Sequence, residues 1–208
     1  AMSWFSQAIN STLGRKLVMA ASGGFLIIFL LGHISGNTLL FRADGGEAFN
    51  LYAKFMTTNP AVKVLSYLTY GSVILHAVSS GSTSSSWNSR NMGVLGSIIL
   101  LFLVIHMYGF WYKMHWGGIA TVNIDGQEVK NLYAVVNEAF HQIWYVALYV
   151  VCMAFLAFHL SHGFSSAFQT LGLNHKKYTP AIKKAGYAFA VVVPTAFASI
   201  PVFMYFFR

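Results

Sequence analysis

Five stretches of this chain contain no Lys, Arg, Asp or Glu: residues 17–41, 64–89, 91–112, 139–175 and 185–207. Each is at least 22 residues long. A helix needs about 20 residues to cross a hydrocarbon core roughly 30 Å thick. Together the five occupy most of the 208 residues and leave no room for a separate soluble domain. The expected fold is all-α, a single integral membrane bundle over residues 1–208. Its five transmembrane helices are expected at approximately 17–41, 61–83, 91–113, 139–169 and 185–207. Composition agrees. Only 9% of residues are charged, where a soluble domain uses about a quarter. The first stretch is too long for a signal-peptide core and lacks a clean cleavage site, so it reads as a retained span. Cys152 is the single cysteine, which excludes an intrachain disulfide and a Cys-rich metal site.

Charge placement gives a topology. The side holding the N-terminus carries Arg15, Lys16, Arg90, Lys176, Lys177, Lys183 and Lys184 and no acid. The opposite side carries six basic residues and all five acids. Basic residues packed into short segments mark the cytoplasmic side. The N-terminus is therefore expected in the cytoplasm and the C-terminus in the periplasm, across a bacterial inner membrane. The net charge of +8 reflects this asymmetry and not nucleic-acid binding. The basic face could dock an acidic partner or anionic lipid. Of the links, DGGEAFN (44–50) reads as a turn opening a short amphipathic segment. Residues 113–138 contain a turn at Asp125-Gly126. Pro60 suits the start of the second helix, and Pro194 and Pro201 are expected to interrupt and kink the fifth.

Eight histidines are present, five of them deep in spans: His33, His76, His106, His159 and His162. Ionisable residues at membrane depth are functional candidates, although any one alone could simply bond one helix to another. Four helices in succession carry a deep histidine. At 1.5 Å per residue, His33 lies roughly 13 Å below the charges of the acid-bearing side, and His106 roughly 10 Å. The second and fourth helices run back, placing His76 roughly 24 Å deep and His159 at most about 31 Å. His162 is only about 4.5 Å further along, so depth does not separate it from His159. Two pairs at two levels, outer His33 with His106 and inner His76 with His159, are what two bis-histidine b haems require. Ligation of iron by neutral imidazoles would also remove the cost of burying them. Each histidine has a small residue three or four positions on: Gly36, Ser79 and Ser80, Gly109, and Gly163. A flat macrocycle could lie there. The second ring nitrogen of each ligand is expected to donate to a carbonyl one turn back or to a hydroxyl. The haems are expected about 15 Å apart.

LGHISGN, GGEAFNLYAKFM, LHAVSSG, VIHMYGFWYK and FHLSHGFSSAFQTLG resemble the membrane-anchor cytochrome b subunit of the succinate:quinone and quinol:fumarate oxidoreductases. The likeness is to the five-helix, dihaem, single-polypeptide form. It implies His33, His76, His106 and His159 as ligands of two haem b irons, which selects His159 over its neighbour His162. It also implies a flavoprotein subunit with FAD and an iron–sulfur subunit on the cytoplasmic face, and a (mena)quinone site near the outer haem. A dimer of such heterotrimers is compatible with it. Arg15, Lys16, Arg90, His162 and Lys176 are candidates for inner-haem propionates, against the plainer reading of positive-inside charge. Glu47, Asn50, Lys54, His115 and Trp116 are candidates for the quinone side. The chain itself carries no flavin or dicarboxylate motif, so it would move electrons and do no carbon chemistry. Some dihaem fumarate reductases of this family place a Glu two residues before the fourth-helix ligand; here the position is Ala157. Without that acid, transmembrane electron transfer is expected to be electrogenic. Two alternatives stand beside this reading: the dihaem anchor of another quinone-linked oxidoreductase, and a non-haem transporter relaying protons through histidine.

Overall fold

A computed structural model describes residues 11–79 and 87–208, with backbone only over 87–90. The expectations for Ser80 and for the Arg90 side chain fall outside the described residues. In chain order the elements are α1 (Thr12–Asn37), extended by a 3-10 turn Thr38–Phe41; α2 (Glu47–Thr58); and α3 (Pro60–Ser79). Next comes α4 (Trp87–His106), which runs through a π-helical stretch Met107–Tyr112 into Lys113–Trp116. The remaining elements are β1 (Thr121–Ile124), β2 (Gln127–Lys130), α5 (Leu132–Phe140), α6 (Ile143–Thr170) and α7 (Thr179–Phe207). Five helices are long and apolar enough to cross a membrane: Thr12–Phe41, Pro60–Ser79, Asn91–Trp116, Ile143–Thr170 and Thr179–Phe207. The all-α, five-helix architecture is the expected one, and it marks the chain as an integral membrane protein.

The element boundaries need correction, for local reasons. α1 begins at Thr12 and not at 17, because Ser11 caps it by accepting from the Gly14 amide at 3.0 Å. Arg15 and Lys16 are thus on its first turns. The fourth span begins at Ile143 and not at 139. The uncharged run hides a break at His141-Gln142, with the amphipathic α5 ending before it. α7 starts at Thr179, six residues early, with Pro180 in its first turn, where a missing amide costs nothing. α7 also runs unbroken through Pro194 and Pro201, which are both buried. Asn59 caps α3 through the Ala61 amide, 2.9 Å away.

α6 is the central helix. It packs most extensively on α7 and also touches α1 and α4, while α3 packs on α1. A third of the most apolar window of α6 and of α7 (33%) is buried, against 6% in α3 and 0% in α4, so the last two are peripheral. Lipid supplies no hydrophobic drive between helices, so association depends on close packing of small residues. Gly186 of α7 does this: a Cβ there would meet the Phe164 ring of α6 at 2.5 Å. Four serine and threonine hydroxyls in the spans bond within their own helix. Ser22, Ser66, Thr69 and Ser97 donate to the carbonyl four residues back at 2.7 to 2.9 Å.

The acid-bearing side is closed by a small cap. The turn expected at Asp125-Gly126 is there, with φ of 50° and 78°, as a two-residue connection with both φ values positive. The flanking strands Thr121–Ile124 and Gln127–Lys130, which the sequence pattern alone leaves as loop, pair antiparallel with Val122 opposite Val129. Asn50 of α2 locks this cap. Its amide donates to Asn131 Oδ1 at 3.0 Å and accepts from the Tyr133 amide at 2.8 Å. Lys130 Nζ donates to the Met114 carbonyl at 2.6 Å, tying the hairpin to the end of α4. Arg208 donates to the Phe41 carbonyl at 2.8 Å, joining the ends of α7 and α1.

Candidate functional site

Four helices each bring one histidine inward, and the rings meet in twos. His33 of α1 faces His106 of α4, with ring centroids 5.8 Å apart and planes at 87°. His76 of α3 faces His159 of α6, at 6.1 Å and 78°. These are the partners that helix direction and depth group together. Among the described residues no set of three or more His, Cys, Asp or Glu gathers as a metal site, so the unit is a pair of imidazoles.

The His33–His106 pair is walled by aromatic rings. Phe29 stacks on His33 at 5.3 Å and Phe197 lies 5.6 Å from it. Phe102 and Phe110 flank His106 at 5.9 and 5.4 Å. The Tyr149 hydroxyl of α6 is 3.0 Å from His106 Nδ1, and the Tyr145 hydroxyl is 3.4 Å from that of Tyr149. His106 is the last residue before the π-helical stretch. A π-turn shifts the side-chain register of the residues after it and recurs at functional sites. The small residues after these histidines sit against tyrosines. A Cβ on Gly109 would come 2.7 Å from the Tyr145 hydroxyl, and one on Gly36 would collide with the Tyr52 ring. Both glycines make room for tyrosines.

The His76–His159 pair has different neighbours. His76 Nδ1 is 3.3 Å from the Met19 carbonyl and 3.4 Å from the Ser22 hydroxyl, both on α1. A Cβ on Gly23 would reach 3.1 Å from His76 Cε1, and one on Gly96 would reach 3.9 Å from His159 Cε1. The glycines against these rings therefore lie on neighbouring helices. Gly163, on the helix of His159, meets only Met92 at 3.9 Å. His159 Nδ1 is buried without a hydrogen-bond partner. Ser22, Gly23, Gly96 and Tyr149 were missed in the sequence. A small residue on a helix facing a ligand carries no local signal, because spacing along one helix says nothing about the helix across from it.

The remaining candidates are scattered. Arg15, Lys16 and Lys176 are exposed on the basic side. His162 is exposed, and its Nδ1 lies 3.2 Å from the Phe158 carbonyl one turn back. His115 and His141 make the same one-turn contact, at 2.8 and 2.7 Å to Trp111 and Asn137. The one-turn carbonyl contact thus belongs to these three, while His106 meets the hydroxyl alternative through Tyr149, and His76 lies against the Met19 carbonyl and the Ser22 hydroxyl of α1. On the acid-bearing side, Asn50 is 2% exposed, and its side chain donates one hydrogen bond and accepts another within the cap. Lys54 bonds Gln127 at 3.1 Å, Glu47 is exposed in the first turn of α2, and His115 and Trp116 pack on Trp111 at 4.7 and 5.0 Å.

No family model, curated protein or solved structure matches this chain.

Proposed function

We propose that this chain is a dihaem cytochrome b, the membrane anchor of a succinate:quinone or quinol:fumarate oxidoreductase. In this reading it carries electrons between an iron–sulfur subunit and (mena)quinone. The observation behind it is the pairing of four histidines from four helices, with centroid separations of 5.8 and 6.1 Å. A metal–imidazole nitrogen bond is about 2 Å, so a metal held between two imidazoles sets their centroids about 6 Å apart. The partnerless His159 Nδ1 and the glycine faces against His76 and His159 fit rings that ligate a further group. Bound haem would supply one-electron chemistry at an iron whose potential its axial ligands and their hydrogen bonds tune.

The protein's own residues do the rest. His33 and His106 would hold one haem, and His76 and His159 the other. Nδ1 of His76 and of His106 is engaged by Met19 and Tyr149, which leaves Nε2 for iron; the Met19 carbonyl can only accept, so it also fixes the tautomer of His76. Arg15, Lys16, Arg90, Lys176 and His162 stand on the basic side as candidates for propionate contacts. Glu47, Asn50, Lys54, His115 and Trp116 stand on the opposite side as candidates for the quinone end. Positive-inside charge sets the basic face in the cytoplasm of a bacterial inner membrane. A flavoprotein and an iron–sulfur subunit would dock there, and the acid-bearing cap would face the periplasm. The test is a reduced-minus-oxidised spectrum of the purified chain with a haem count. Expected are b-type bands and two haems per chain. No band leaves a histidine proton relay, and one haem per chain rejects the dihaem assignment.

A further inference from the structure

Resting on that dihaem reading, we infer that Tyr149 is the positioning residue for the ligand His106, and that its hydroxyl tunes the redox potential of one haem alone. Neutral imidazole has one N–H, and iron at Nε2 leaves that hydrogen on Nδ1. His106 Nδ1 then donates to the Tyr149 oxygen 3.0 Å away. Tyr149 in turn directs its own hydrogen to the Tyr145 hydroxyl, 3.4 Å away on the preceding turn of α6. Ligation sets the direction of this relay. In a bare histidine either ring nitrogen could carry the proton.

The position of Tyr149 is heavily determined. It is 6% exposed. Its ring packs edge-on to Phe102 at 4.8 Å and to Phe140 at 5.0 Å. Gly109 leaves the space that the Tyr145 hydroxyl occupies. A ligand imidazole that donates through its distal N–H pushes more electron density onto iron and favours the ferric state. The phenol oxygen therefore lowers the potential of the His33–His106 haem. Tyr149 has no contact with the His76–His159 pair: His76 Nδ1 meets the Met19 carbonyl at 3.3 Å and the Ser22 hydroxyl at 3.4 Å, and His159 Nδ1 has no hydrogen-bond partner.

The test is an anaerobic redox titration of the purified holoprotein as wild type, Tyr149→Phe and Tyr145→Phe. The haem of each pair is identified in a His76→Ala background, which keeps only the other. Phenylalanine preserves the ring packing and removes one oxygen, so a purely structural role would move neither potential. The expected result is a rise in the midpoint of the His33–His106 haem in Tyr149→Phe, with the other haem unmoved. Tyr145→Phe should give a smaller rise in the same haem, since Tyr149 loses its acceptor and becomes a poorer acceptor itself. No shift, a fall, or an equal shift of both haems overturns the inference while the dihaem reading stands. Absence of haem from the wild type overturns both.

Discussion

The two histidine pairs use the same residue type at nearly the same ring separation, yet their housings differ. Around His33–His106 the walls are Phe29, Phe102, Phe110, Phe197 and Tyr149, and the hydrogen-bond partner is a side-chain hydroxyl. Around His76–His159 the near atoms belong to Gly23, Gly96, Ser22 and the Met19 carbonyl. An aromatic wall contributes about 0.5–1.5 kcal/mol per ring pair and holds a ring by shape. A glycine wall contributes little and holds nothing; it keeps a surface open. The first pair is therefore set by packing, and the second by the backbone path of α1. Substitutions should break the two in different ways.

On the dihaem reading proposed above, the largest effect comes from the histidines themselves. His76→Ala or His159→Ala should remove one haem and leave the other, halving the haem per chain. His33→Ala or His106→Ala should remove the complementary one. Quantified haem content with low-temperature spectra distinguishes the two classes. If a member of one pair and a member of the other removed the same spectral component, the pairing would be wrong.

Gly23 is next in size. On a helix, Gly→Ala ordinarily stabilises by about 0.5–1 kcal/mol. Here a Cβ would stand 3.1 Å from His76 Cε1, so alanine already crowds the ring and the extra methyls of valine must displace it. Gly23→Val is expected to lose most of the His76–His159 haem and to spare the other, with Gly23→Ala intermediate. Thermal unfolding in detergent separates haem loss from collapse of the bundle. A Gly23→Val protein with both haems at wild-type occupancy would show that the glycine face is only a helix contact.

The spans were legible because lipid forbids unpaired charge over some 20 residues, and this chain obeys that throughout. Which helices pair their histidines was legible from helix direction and rise, since both are global properties of a bundle, but these left His159 and His162 of α6 unseparated. Boundaries were less so: residues 139–142 are as uncharged as the span they precede, and only the backbone break at His141-Gln142 separates α5 from α6. The hairpin was half legible. Asp125-Gly126 announced the turn, while TVNI and QEVK alternate over only four residues each, too few to stand out. The surroundings of the rings were hardly legible. Gly23, Gly96 and Tyr149 act across helix interfaces, and Asn50 looks the same in sequence whether or not, as here, it holds Asn131 and Tyr133 in place.

The smallest expected effect is also the one that separates two neighbours on α6. His159 and His162 are three residues apart, about 4.5 Å of rise, and chemistry alone treats them alike. Their surroundings do not. His159 is turned toward His76 with a buried, partnerless Nδ1. His162 is exposed, and its Nδ1 sits 3.2 Å from the Phe158 carbonyl and 3.2 Å from the Ser161 hydroxyl. An exposed ring with its polar atom already satisfied loses little on removal, within about 0.5 kcal/mol for a surface change. His162→Ala should keep both haems at full occupancy. If the ring touches a propionate, the variant will show a small change in the midpoint of the His76–His159 haem and none in the other. Loss of that haem in His162→Ala, with retention in His159→Ala, would exchange the roles of the two residues and break the pairing at its weakest joint.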